Sequence, residues 1–162
     1  MPQPERLLDR VEKRMTSYSR NQKTNAFLGT IYDLLTKEEN EPMVIPVTLA
    51  VDGILITGEL ISSEEFFKIQ PNTAFTPLYK IAIQDQESIY FSEDGEVKEE
   101  YAEKENEIPD YVWQRFIYLK NARYISGGNF FPSVNNEGVS IQVRASDISA
   151  FNLSAFTQSI NA

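Results

Sequence analysis

Apolar residues along this chain follow two different periods. Leu7, Leu8, Val11, Met15 and Tyr18 fall on one face of a 3.6-residue repeat, which predicts an amphipathic helix with Pro4 near its start. A second helix is expected over Asn25 to Lys37, with Phe27, Leu28, Ile31, Leu34 and Leu35 on one face and Thr24 or Asn25 as cap. The polar run Ser19 to Lys23 separates the two. From Met43 the period falls to two. Met43–Val51 is rich in Val, Ile and Thr, with Pro46 early in the run, where it suits a sheet edge. Asp52-Gly53 is a two-residue hairpin signal. Ile54 to Ile61 continues as a strand, and Gly58 in its interior marks a bend or a close backbone approach.

Ser62 or Ser63, followed by Glu64 and Glu65, predicts a short capped helix that carries Phe66 and Phe67. Residues 70–110 mix periods. Asp94-Gly95 lies at the centre of Ser88 to Lys98, and the pattern leaves helix and hairpin both open there. Phe116 to Ile125 reads as a long strand. The turn formers Ser126-Gly127-Gly128-Asn129 and then Phe130-Phe131-Pro132 read as a loop. Val139, Ile141 and Val143 alternate, and a last strand is expected from Ile148 to Leu153 after a break at Ala145-Ser146-Asp147.

The expected architecture is mainly β with N-terminal α. One or two helices (residues 1–40) precede a five-stranded, strongly bent antiparallel barrel of the SH3-like or Sm-like kind (residues 41–155). An acidic insertion (about 70–111) separates strands two and three, and a loose tail (156–162) closes the chain.

Composition removes much of the usual chemistry. Among 162 residues there is no Cys and no His. That excludes disulfides, thiolate nucleophiles, Cys- or His-ligated metals and any Ser-His-Asp triad. Glu93-Asp94-Gly95-Glu96 lacks the alternating oxygen ligands of a calcium loop. No catalytic, metal or cofactor site is expected. The first 20 residues lack the apolar core of a secretory signal, and no apolar run approaches the ~18–20 residues of a membrane span. A cytoplasmic protein without membrane contact is the expectation.

Charge is unevenly spread. The chain carries 24 acidic and 15 basic residues, a net charge of −9. Residues 85–110 hold eleven acids against two bases, so this stretch alone accounts for −9. Residues 1–24 carry six bases and three acids, a balance of +3. A block such as 85–110 repels itself and stays solvated. It is either a solubility element or an electrostatic contact for a basic partner, with Glu96, Glu99, Glu100 and Glu103 at its centre.

Residues 47–60 (VTLAVDGILITGEL), with IYLKNA (117–122), resemble the first Sm motif, and VRASDI (143–148) resembles the second, with Ala145 where that family has Gly. Two longer blocks, VDGILITGELISSEEFF (51–67) and RFIYLKNARYISGG (115–128), flank the acidic spacer and resemble the gas vesicle accessory protein U family. That resemblance implies a non-enzymatic accessory protein for assembly or clustering, working through self-association and contacts with gas vesicle components.

Candidate binding residues follow from both readings. Phe66, Phe67, Phe130 and Phe131 form two adjacent pairs, a pattern that suits either a loop folded onto the barrel or an oligomer or partner surface. Arg144 matches the second Sm motif's Arg and is the candidate for an RNA contact; the competing reading pairs it with Asp147. Nucleic acid is a poor match for a protein of charge −9, because phosphate contacts dominate that affinity. A homo-oligomer with a protein partner is the expectation.

Overall fold

A computed structural model describes Leu28, Tyr32 and residues 44–93, 96–109, 112 and 116–156. Its centre is a six-stranded antiparallel sheet: β1 (Ile45–Val51), β2 (Ile54–Ile61), β3 (Phe116–Ser126), β4 (Asn129–Phe131), β5 (Val139–Arg144) and β6 (Ile148–Asn152). The order β4-β3-β2-β1-β6 is completed by β5, which pairs with the other half of β3. A single 3₁₀ turn, Ala145–Asp147, joins β5 to β6.

Period two explains the strands. Ile45, Val47 and Leu49 of β1 point into the core beside Ile56 of β2. Asp52 and Gly53 both adopt positive φ, 50° and 80°, the two-residue turn that matches the twist of a hairpin. Pro46 lies ahead of the stretch Thr48–Val51 that pairs with β6, so its missing N–H interrupts no ladder there.

The eleven residues of β3 are the axis of the sheet. Ile117 and Leu119 face the core, and then the phase changes: Asn121 takes φ 47° and Ala122 becomes the buried residue. This is a β-bulge, and the registers with β2 and β5 both shift across it. Gly58 sits opposite, where an added Cβ would lie 3.1 Å from Ala122 Cα. Gly138 is tighter still, with an added Cβ only 2.4 Å from the Asn121 carbonyl carbon. Asn121 Nδ2 donates to Glu59 Oε2 at 3.1 Å and steadies the bulge.

Two expectations need correction. The sheet has six strands and is not closed, since no register pairs β5 with β6 among the described residues. The segment expected as a loop after Ser126 contains β4. Gly127 and Gly128 both have positive φ, 57° and 79°, and fold Asn129–Phe131 back onto the end of β3. The long strand is therefore shared between two partners.

Ser62 caps α1 (Ser63–Phe66), its hydroxyl accepting from Glu65 N at 3.1 Å. The helical run α2 (72–90) follows, built of a 3₁₀ turn (Asn72–Phe75), an α turn (Thr76–Tyr79), a π-helical segment (Lys80–Gln84) and a second α segment (Asp85–Tyr90). Of the two helices expected before residue 40, only Leu28 and Tyr32 lie within the described residues. Both are helical and buried, and Tyr32 donates to Ile61 O at 2.7 Å. At the other end of the chain, Thr48 donates to Ser154 O at 2.7 Å and Phe156 N donates to Thr57 Oγ1 at 3.1 Å, so the chain is held as far as Phe156.

Gly138→Ala should lower unfolding stability by about 1–3 kcal/mol, because backbone rather than a movable side chain occupies the space. Urea unfolding of the purified variant checks this; an unchanged midpoint would contradict the close approach.

Candidate interaction surfaces

Three surfaces stand out on this frame. The first is the end of the β2–β3–β4 layer. The two tight turns carry Ile54, Leu55, Tyr124 and Phe131 past the core, and all four are exposed, Phe131 to 55%. They line a shallow depression of about 600 Å³ whose rim includes Gly53, Gly127 and Gly128. Nothing lies within 4 Å of where a Cβ would stand on those three glycines, so the rim is open. Contiguous exposed apolar side chains of this size usually mark a contact surface.

The second feature is an aromatic clasp on the outer face of β2 and β3. The two adjacent Phe residues of α1 diverge. Phe66 is buried, with its ring 4.8 Å from that of Tyr118. Half-buried Phe67 stacks on Tyr79 of α2 at 4.2 Å and 24°. Asn72 Nδ2 donates to Phe66 O (3.0 Å) and to Ser140 Oγ of β5 (2.8 Å), fixing the start of α2 on the sheet. Tyr118 OH accepts from Gln142 Nε2 at 3.1 Å.

Burial is the main reason that the phenols of Tyr118 and Tyr79 resist ionisation; it raises Tyr79 above the ordinary tyrosine value and Tyr118 well above it. Nearby, Lys120 Nζ bonds Glu65 Oε1 at 2.8 Å, and that bond raises the lysine's pKa.

The third feature is the acidic segment. Phe91, Ile108 and Val112 form a second small core, with Tyr90, Val97 and Tyr101 packed against it. Phe91 and Val97 form a bridge, and Lys98 N donates to Tyr90 O at 2.9 Å. A stretch expected to stay solvated as a flexible element is thus folded around apolar residues placed between its acids. The 3₁₀ turn Glu99–Tyr101 presents Glu99 and Glu100, and Glu96 and Glu103 are also exposed.

The four Phe candidates therefore separate. Phe66 lies in the core, Phe67 clasps α2, Phe130 is buried opposite Ile125, and Phe131 faces solvent. Arg144 Nε pairs with Asp147 Oδ2 at 2.9 Å, and nothing supports an RNA contact there. Ile54, Leu55 and Tyr124 join Phe131, and the sequence pattern alone did not single them out. Their signal was their position beside two tight turns, where alternation continues past the point that the core can cover.

Arg123 is a further residue missed. Its guanidinium donates to the carbonyls of Pro132, Ser133 and Asn136 and ties down the β4–β5 loop. Among the described residues, no group of three or more carboxylates is placed to hold a metal, and no helix is long and apolar enough to cross a membrane.

An open six-stranded antiparallel sheet with an apolar end and a folded acidic insertion defines a mainly β protein. The family profile described as "Gas vesicle protein GvpU-like" matches residues 27–156, and the chain belongs to that family. Both blocks that carried the resemblance, 51–67 and 115–128, fall inside the matched span. No curated protein and no solved structure matches the chain significantly.

The clasp predicts an alkaline limit. In the unfolded chain Tyr79 and Tyr118 ionise near the ordinary value of 10.0, and in the fold they ionise only above it. Their contribution is complete below that value and is lost as pH rises past it, and Lys120, also raised, acts in the same direction. The urea midpoint should fall between about pH 9 and about pH 11, and Tyr118→Phe should reduce that fall while costing about 1 kcal/mol at neutral pH. A midpoint flat across this range would refute the assignment.

Proposed function

We propose that this protein is a non-enzymatic accessory protein of gas vesicles in the cytoplasm, acting by self-association and by contact with a vesicle protein. Family membership supports the gas-vesicle setting. The observation that carries the contact is the exposed apolar end formed by Ile54, Leu55, Tyr124 and Phe131. Two tight turns hold these side chains in place before any partner arrives, so little conformational freedom is lost on binding.

Self-association uses the sheet edges. β5 and β6 are the outer strands at opposite edges of the sheet, the positions where a strand from another copy would add. The 3₁₀ turn between them and their places at opposite edges are what support the Sm-like reading. Acidic side chains at Glu96, Glu99, Glu100 and Glu103 form a separate contact for a basic partner.

Flotation with isolated gas vesicles tests this at about 0.15 M salt, where exposed charges are screened beyond ~8 Å. The protein should rise with the vesicles. Phe131→Ser combined with Ile54→Ser should cut the bound fraction by about tenfold, as expected for apolar anchors at the centre of a contact. Protein that stays in solution would sink the proposal. A further variant, Glu99→Lys with Glu103→Lys, separates the contacts: it should weaken binding more at low salt than at high salt. Equal loss at both would remove the acidic segment from the interface.

A further inference from the structure

The helical run α2 has two apolar sides. Tyr79, Ile83 and Tyr90 are partly covered, Tyr79 by the aromatic clasp. Phe75, Leu78, Ile81 and Ile89 are exposed on the other side, Leu78 and Ile81 to 63%. Their spacing of three, three and eight residues makes one stripe, with exposed Asp85 standing between Ile81 and Ile89. A surface helix normally turns charged or polar groups outward. The stripe also runs directly into the acidic stretch that begins at Asp85. An occupant that fits is apolar along one face and basic around it.

Residues 7–18 have that chemistry. Leu7, Leu8, Val11, Met15 and Tyr18 form their apolar face; Arg10, Lys13 and Arg14 lie among them with Asp9 and Glu12, and Arg6 precedes them. Residues 1–24 carry +3 against −9 for 85–110, so the charges are complementary.

The tether has the right origin and length. Leu28 is buried in the core, and Tyr32 is bonded to Ile61 O. Ile61 is the register partner of Tyr118, whose ring is 6.1 Å from Phe67, the residue stacked on Tyr79. Tyr32 is thus linked to Tyr79 of α2 through Ile61, Tyr118 and Phe67. Ten residues separate Tyr18 from Leu28 and reach at most about 35 Å when extended. A helix of 19 residues is roughly 30 Å long, so the stripe is within reach.

We propose that residues 7–18 dock as an amphipathic helix on the Phe75–Leu78–Ile81–Ile89 stripe of the same chain. Docking covers the exposed apolar row and sets Arg10, Lys13 and Arg14 beside the acidic insertion. The short tether makes the encounter intramolecular, with an effective concentration of order millimolar.

The absence of cysteine allows a direct test in the full chain. In a V11C/I81C variant, a short bismaleimide should link the two positions within one chain. The control pair, V11C/S126C, places the second thiol eight residues further along β3 than Tyr118, about 26 Å away at ~3.3 Å per residue. The first pair should link at least ~10-fold faster than the control, and adding Arg10→Glu with Arg14→Glu should slow it about tenfold. Circular dichroism on each variant confirms that the sheet is intact. A dimer-sized product would assign the stripe to a second copy and overturn the proposal. Linking no faster than the control would also overturn it.

Discussion

Close backbone contact at one point in β3 organises the sheet. Gly58 of β2 and Gly138 ahead of β5 both approach the Asn121–Ala122 bulge; a Cβ would be tight at Gly58 and would overlap backbone at Gly138. The bulge reverses which residues face inward, from Ile117 and Leu119 before it to Ala122 after it. On one edge β3 pairs with β5 across the bulge as far as Ala122, and with β4 at its end. Without that reversal the apolar residues past Asn121 would fall on the wrong face, and β2 and β3 could not stay paired over their full length.

The same strand carries the insertion. Tyr118 is buried although its neighbours Ile117 and Leu119 are buried on the opposite face, so this part of the sheet is covered on both sides. One cover is the main core. The other is α1 and the start of α2, joined through Phe66, Phe67 and Tyr79. The acidic stretch follows from a docked helix and is folded about its own apolar residues. Its charges are presented on a surface whose position is set from β3, a different object from a flexible polyanionic loop.

Much of the sheet was legible because period two is a local signal. β2 was placed at both ends, the Asp52-Gly53 turn was read from its residues alone, and Ser62 was one of two candidate caps. Gly58 was read as a bend or a close backbone approach, and Ala122 supplies the approach. β4 was missed because three residues are too few to show alternation, and two glycines look the same in a loop and in a tight turn. α2 was obscure for a different reason. It joins 3₁₀, α and π turns and carries apolar residues on both sides, so no single period describes it. The paired Phe residues misled because adjacent side chains must diverge. Burial of Phe66 and Phe130 and exposure of Phe131 depend on pairing partners far away in sequence. The apolar end is a tertiary property and has no motif.

The two cores have a consequence for how the molecule opens. Among the described residues, sixteen buried residues form the main cluster, and Phe91, Ile108 and Val112 form the one in the insertion. A unit with its own separate apolar cluster can open while the sheet stays intact, and local opening costs less free energy than global unfolding. Stability in this chain is therefore tiered. The glutamates ride on the softer tier and the apolar end on the stiffer one, so the electrostatic face can be remodelled by heat, salt or a ligand under conditions that leave the hydrophobic face unchanged.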